Sequence, residues 1–399
     1  MKKITRLLLL AAISIGMVAC SNDDVPQTPE SLRGTTYASI AVTLPKAPST
    51  RTLPDDYNKL PDWEGIDAIE TITVFLVNET LGTIDHSTFG TKQFESIDAN
   101  GVLKPNLAVK GTPGEAVKAY VVLNGNSDVL TKLKGTAPGA FDAVYATAVS
   151  EIASNLAENK LVEGKNKDVI MMTNTELPKA IEILPNVSEE DAKDGTSNLV
   201  KVEVERVVSR AIATVAATAK STVIPVKDAM DVKQSEITIQ SVSYVVGQSN
   251  AKFFLTKQEG YVTPADVYGH VPSASFWKPE LFDNTGLAKS IAMKEATGAA
   301  ALADFNEALT TELGNSKFVL PVTHEVTDKI NNYRKGNTTY FEVTAIFTPD
   351  KVAVGTIEIE GESKGSDVYT DGNDVFLGMN TGLFYNSREL AEASGQKAT

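Results

Sequence analysis

The residue patterns that could do chemistry in this chain are few. Gly361 to Gly365 reads GESKG, the G-x-S-x-G spacing that sets a serine nucleophile on a sharp turn, and it follows the strand-like run TIEIE. That turn needs a helix directly after the serine. Here SDVYTDGND follows, a run of turn residues, which argues against a hydrolase. His86, His270 and His324 are the only histidines, and they fall in no H-E-x-x-H frame or carboxylate spacing that would gather a zinc ion. Asp367, Asp371, Asn373 and Asp374 crowd one loop with oxygen donors suited to calcium, but their spacing is not that of an EF-hand, and a solvated turn accounts for them. Glu203 and Glu205 alternate onto one face of a strand-like run and Arg206 and Arg210 onto the other. Both arginines read as structural groups near a domain junction. The chain is therefore read as a non-enzyme that needs no metal and no cofactor.

What remains chemically distinctive are residues on which other agents would act. Lys2, Lys3 and Arg6 precede an apolar run from Leu7 to Ala19, which is too short to span a bilayer and has the order of an export signal. Cys20 follows at once and is the chain's only cysteine. In an exported chain it can form no intramolecular disulfide, so a role in anchoring is the economical one. GMVAC resembles the bacterial lipobox, with Met17 where leucine is commoner; the match implies a diacylglycerol on the Cys20 thiol and cleavage before it. The acidic SNDD that follows is similar to the run that directs Bacteroidetes lipoproteins to the cell surface.

A second such residue is Arg51. The stretch Thr36 to Asp56 reads TYASIAVTLPKAPSTRTLPDD. Its first half is a strand, with Ala38, Ile40, Val42 and Leu44 on one face and Tyr37, Ser39, Ala41 and Thr43 on the other. In its second half Pro45, Pro48 and Pro54 bracket Arg51 among Ser, Thr and Asp, so the backbone there is expected to be exposed and easily cut. Read on pattern alone, the strand is a permanent N-terminal edge and Arg51 a solvated loop residue. Arg33, in SLRGTTY, is a rival cut site that would release the lipid but leave the strand in place.

The elements around these residues are mostly strands. Ile69–Val77, Ala116–Gly125, Asp168–Asn174, Leu199–Val215, Glu236–Val246, Thr338–Phe347 and Val352–Glu360 are rich in β-branched and aromatic residues, and turn clusters separate them. Two helices are predicted, one carrying Phe141, Val144, Tyr145, Ala148, Ile152 and Leu156 on one face, the other Leu302, Phe305, Leu309 and Leu313. Many strands with few helices indicate a mainly β chain of two β-sandwich domains. The pattern weakens after Val215, placing a domain boundary near Val226 and domains over 52–226 and 227–399. At 399 residues with 42% hydrophobic positions, each half can bury a core. A net charge of -14 argues against nucleic acid or an anionic membrane surface as partners.

The order of these motifs resembles a family, the Bacteroidales fimbrillins of FimA and Mfa type. The lipobox leader, TYASIAVTLP with an arginine a few residues on, YVVLNG, IMMTN and above all VEVERVVSRAIATV carry the resemblance in the first half. SVSYVVGQSNAKFFL, YRKGNTTYFEVTAIFTP and DVFLGMNTGLFYNSRELA carry it in the second and are closest to the Mfa-type subunit. The resemblance implies transthyretin-like, Greek-key sandwiches and a structural subunit of a surface fimbria that supports adhesion and biofilm formation. It implies a lipoprotein precursor held in the outer membrane through Cys20, then cut by an Arg-specific surface protease between Arg51 and Thr52. Residues 1–20 would be the signal peptide and 21–51 a removable strand and tether. A strand from another copy or from an accessory subunit would fill the vacated groove, and host or bacterial surface ligands would be further partners. Mfa-type chains usually run on past LFYNSRELA to the strand they donate; EASGQKAT has no apolar alternation, so either the sequence is truncated or the subunit does not donate from this end. The competing class is a permanently anchored lipoprotein that binds glycan or a host ligand. It would call for exposed aromatic platforms, and aromatics are only 7%, with Trp63 and Trp277 the sole tryptophans.

Overall fold

The run TITVFLVN (Thr71–Asn78) has apolar residues at consecutive positions, and such a run makes a stable strand only where both of its faces are covered. A computed structural model describes residues 36–45, 68–94, 101–162, 165–216, 218–258, 263–264, 282–296, 316–322 and 339–393. In it Ile72, Val74 and Leu76 enter one hydrophobic core, while Phe75 and Val77 enter another. The neighbouring strand Gly114–Leu123 divides in the same way, with Val117, Ala119, Val121 and Leu123 on the first side and Tyr120 and Val122 on the second. The chain is mainly β, as its composition of strand-like runs predicts.

These strands belong to one nine-stranded sheet. Its order is Thr83–Gly90, Thr71–Asn78, Gly114–Leu123, Met172–Asn174, Leu199–Arg206, Thr36–Thr43 and Val102–Leu103; Ile181–Ile183 also pairs with Gly114–Leu123, and Val109–Gly111 with Thr36–Thr43. The sheet doubles over, because residues from its two ends share the first core: Ile72, Val74 and Val121 from one limb, Ile40, Val42, Val200 and Val202 from the other. The hinge is the short strand Met172–Asn174, which pairs with both limbs. Where it ends, the buried Asn174 side chain takes over the ladder, accepting from Val121 N at 2.7 Å and donating to Ala119 O at 3.0 Å. Asn124, at a left-handed φ of 48°, plays the same part at another strand end. Its amide accepts from Glu70 N at 2.7 Å and donates to Ala68 O and Ile170 O.

The second core lies under helices and joins the two halves of the chain. Helix Ser127–Lys134, capped by Asn126 accepting from the backbone N–H groups of Asp128 and Val129, contributes Val129 and Leu133. The helix predicted across Phe141 to Leu156 is broken. Phe141–Ala146 is helical, Thr147 is extended, Val149–Ser150 pairs with Lys252–Phe253 of the second half, and Ala153–Leu156 makes one further helical turn. Pairing with the second half overrides the helical pattern, yet Phe141, Tyr145 and Leu156 still reach the same core. Phe253, Leu255, Phe318 and Leu320 fill its far side. The helix expected around Leu302 to Leu313 lies outside the described residues.

The long run Leu199 to Val215 is likewise divided. After Leu199–Arg206 the strands Ser209–Ala211 and Thr214–Ala216 pair with Lys317–Val319 and Lys294–Ala296, so pairing passes to the second half at Val207 and Val208. Val226, where the weakening pattern placed the boundary, lies inside the strand Val223–Lys227, which pairs with Lys233–Gly247. Lys233–Gly247 also pairs with Ile291–Ala292 and Tyr340–Pro349. Beyond it, Val352–Ala353, Leu383–Tyr385 and Phe376–Gly378 form a small sheet, and helix Arg388–Ala393 packs on the hairpin Gly355–Ile359/Glu362–Ser366.

Arg210 fastens the crossing point. Its guanidinium donates to the fully buried Asp168 carboxylate of the first half and to Ser316 Oγ of the second at 2.7 Å, and lies over the Phe318 ring. Removing the arginine strands a carboxylate that water cannot reach. Arg210→Met is expected to destabilise the chain by about 3–5 kcal/mol, while Asp168→Leu combined with Arg210→Met recovers most of that loss, because an apolar pair carries no uncompensated charge. Urea denaturation of the two variants beside the parent checks both outcomes.

Candidate functional site

The strand Thr36–Thr43 alternates in the way of a strand with one wet face, yet it is covered on both. Ala38, Ile40 and Val42 enter the core between the limbs, and Leu44 packs against it partly buried. On the other face Ser39 and Ala41 are also buried, and Tyr37 rests on Ala108, Val187 and Ala192. Burying Ile40 and Val42 stabilises the fold by about 1.5–3 kcal/mol each. Sequence-predicted strand residues are thus brought together in one place. Cys20, Arg51 and Thr52 lie outside the described residues.

Both edges of the strand are paired. Leu199–Arg206 runs parallel along one, from Ser39 opposite Leu199 to Thr43 opposite Glu203. Along the other, Val102–Leu103 and Val109–Gly111 run antiparallel. The strand is interior, where the pattern alone suggested an edge. Without it, two ladders and one core face would lose their partner together.

The N-terminal end of the strand is held by side chains that the sequence reading did not single out. Thr36 is fully buried, and its hydroxyl donates to Leu184 O at 2.5 Å and accepts from Val187 N and Asn198 Nδ2, each at 3.2 Å. Asn198 shares its amide protons among Thr36 Oγ1, Tyr37 O at 2.9 Å and Leu184 O at 3.0 Å, while its Oδ1 accepts from Leu184 N at 2.8 Å. It sits at φ 52°, a conformation asparagine tolerates better than most residues. An asparagine closing the turn cluster GTSN before a strand was the available signal.

The far wall is tied down by Asp85, whose carboxylate accepts from Thr112 N at 2.6 Å and so links the Val109–Gly111 side of the groove to the outer strand Thr83–Gly90. Burial pushes the Asp85 carboxyl above its ordinary value, outweighing the hydrogen bonds from Thr112 and the nearby His86 and Lys110 charges. His86, in that same strand, lies against the Phe75 ring; burial and the Lys134 charge lower its pKa. His270 and His324 are outside the described residues.

The remaining chemical candidates do not assemble. GESKG is part of a β-hairpin whose turn residues Glu360 and Gly361 have φ of 52° and 83°, and Ser363 pairs with Glu358 in the ladder. A strand follows the turn, in place of the helix that a nucleophile elbow needs. Asp367, Asp371, Asn373 and Asp374 are exposed, and no group of His, Cys, Asp or Glu placed to hold a metal occurs among the described residues.

Thr36–Thr43 is thus a core strand with both edges paired, and residues 46–67 that follow it lie outside the described residues. No protein-family model matches the chain. Two sequences of the minor fimbrium subunit Mfa1 of Porphyromonas gingivalis are each 27% identical to it over 414 aligned positions, covering 98% of this chain and 75% of theirs. The chain is similar to the Mfa1 minor fimbrium subunit over nearly its whole length. Solved structures similar to this chain include a candidate cell adhesion protein of Parabacteroides distasonis, at 13% identity, TM-score 0.42, and 83% and 88% coverage of the two chains. The tip fimbrial protein Mfa3 of Porphyromonas gingivalis is similar at 12% identity, TM-score 0.30, and 78% and 99% coverage. The motif residues Asn124, Asn174 and Arg210 are the side chains that close strand ends and bind the two halves.

The raised pKa of Asp85 gives a pH signature with a definite sign. A carboxyl whose folded pKa exceeds its unfolded value binds its proton more tightly in the fold, so its contribution to stability falls as pH rises from near 3.8 through the raised value and then stays low. Asp85→Asn keeps the acceptor for Thr112 N and removes the buried charge. The variant is expected to match or exceed the parent's melting temperature at neutral pH and to lose that advantage in acid, which thermal melts across the pH range check.

Proposed function

We propose that this chain is a structural subunit of a cell-surface fimbria, made as a lipoprotein precursor and polymerised by strand exchange. Homology to Mfa1 supports the fimbrial role and the surface location. The observation that favours strand exchange is the interior position of Thr36–Thr43. A strand at the rim could leave at the cost of one ladder. This one leaves an apolar trench flanked by two unpaired edges, and only another extended backbone fills such a space.

In this reading Cys20 carries the lipid that holds the precursor in the outer membrane, and an Arg-specific surface protease cuts between Arg51 and Thr52. The cut makes the strand a separate segment held only by non-covalent contacts. A strand from another copy or an accessory subunit then takes its place. The subunit performs no catalysis and needs no cofactor beyond the precursor's acyl chains.

Three measurements test the proposal. Cys20→Ala should abolish fatty-acyl labelling and membrane retention of the precursor; unchanged labelling refutes the anchor. The folded chain, cut in the tether, should yield a new N-terminus at Thr52. Added TYASIAVTLP peptide should then raise the melting temperature of the strand-free product, since a ligand of the folded state alone stabilises it by mass action. A peptide with Ile40→Asp, Val42→Asp and Leu44→Asp should not, because it would bury unpaired charge. Cleavage at Arg33 only, or equal melting with and without the parent peptide, refutes exchange.

A further inference from the structure

Apolar burial explains why the groove takes a strand but not which strand it takes. The polar end of the groove adds a requirement. Around Thr36 three groups of the permanent fold converge on one point: the carbonyl of Leu184, the N–H of Val187 and the amide of Asn198. Thr36 is fully buried, Val187 is buried and Asn198 is nine-tenths buried, although the Leu184 residue itself is exposed. Leu184 O also takes a proton from Asn198 Nδ2, and Asn198 donates to Tyr37 O as well, so the Val187 N–H is the group that relies on Thr36 for its acceptor, while the same hydroxyl donates to Leu184 O. Among side chains of this size only a hydroxyl does both at once.

Resting on the strand-exchange reading, we infer that the groove selects its incoming strand by a serine or threonine at the register position of Thr36, followed by a non-proline residue. The second condition comes from the backbone: Tyr37 N donates to Val187 O at 3.1 Å, and Tyr37 O accepts from Asn198. Any residue but proline supplies both, so position 37 carries little further information. Positions 38, 40 and 42 ask only for apolar side chains that fit between Val109, Leu103, Val200 and Val202. Valine at position 36 has threonine's shape but leaves the Val187 N–H buried without an acceptor, and aspartate would set a carboxylate against the Leu184 carbonyl. The hydroxyl thus separates strands that the apolar positions cannot distinguish. It also fixes register, because a shift by two residues keeps the apolar alternation but brings Ala38 to the latch.

The test uses the full chain, folded and then cut after Arg51, and labelled peptides incubated with it until the bound fraction is constant. TYASIAVTLP and its Thr36→Ser form should bind within a few-fold of one another. The Thr36→Val form should bind about 10- to 100-fold more weakly, the cost of one buried unpaired group. Equal affinity of the threonine and valine peptides overturns the hydroxyl selection while leaving strand exchange standing. Failure of every peptide, the parent included, overturns both. The Thr36→Ser and Thr36→Val substitutions in the uncut chain give a second reading: the serine form should melt near the parent and the valine form clearly below it, and matching melts of all three overturn the latch.

Discussion

A buried backbone must have its N–H and C=O groups paired, and this requirement governs the first half of the molecule. Leu199–Arg206 on one side and Val102–Leu103 with Val109–Gly111 on the other do not pair with each other; each is paired with Thr36–Thr43 between them. The same strand supplies Ala38, Ile40 and Val42 to the core that joins the two limbs of the sheet. Water could satisfy the opened edges, but it cannot cover the apolar face behind them, and a small apolar ligand could do the reverse. Only a strand does both. The geometry therefore restricts the occupant of the groove to polypeptide in extended form, before any sequence preference is considered.

Asparagine solves the same problem wherever the ladder is interrupted. Asn124 and Asn174 stand at strand ends and use their side-chain amides as a further peptide group, donating and accepting where the main chain has turned away. All of their bonds join parts of the chain that lie beyond the tether. Asn198 uses the same device, but divides it between Leu184 and the strand residues Thr36 and Tyr37. Two asparagines hold the permanent fold together and the third holds the strand that the proposed mechanism removes.

The sequence made the strands legible because their apolar runs are long and β-rich, and it marked Thr36–Thr43 as a strand with Ile40 and Val42 on one face. It could not show that Ser39 and Ala41 are buried as well, since small residues look alike in a core and on a wet face. Nor could it show that the strand has two neighbours, because pairing joins residues as far apart as Val42 and Val202. The error at Phe141–Leu156 has a similar source. The 3.6-residue period was real, and each of those apolar residues is buried or partly so, but Val149 and Ser150 are drawn into a strand by Lys252 and Phe253, which local pattern cannot foresee. Thr36 and Asn198 carry no periodicity at all. Their role emerges only when residues 162 positions apart meet.

The central strands Thr71–Asn78 and Gly114–Leu123 separate two cores that could otherwise have been one. Thr36–Thr43 contributes to the core on one side only; the other, with Phe75, Tyr120, Phe141, Tyr145 and Phe318, receives nothing from it. Tilted aromatic contacts run through that second core, with Tyr120 placed 5.1 Å from Phe141 and 4.7 Å from Tyr145 between ring centroids. It also holds the second half of the chain through Phe253, Leu255, Phe318 and Leu320. A subunit with a single core would lose its structural basis when a central strand left. Here the aromatic core lies on the far side of the central sheet and its contacts do not pass through the groove. Loss of the strand would open one face while the other still joins the halves, which is the physical condition that the proposed strand exchange requires.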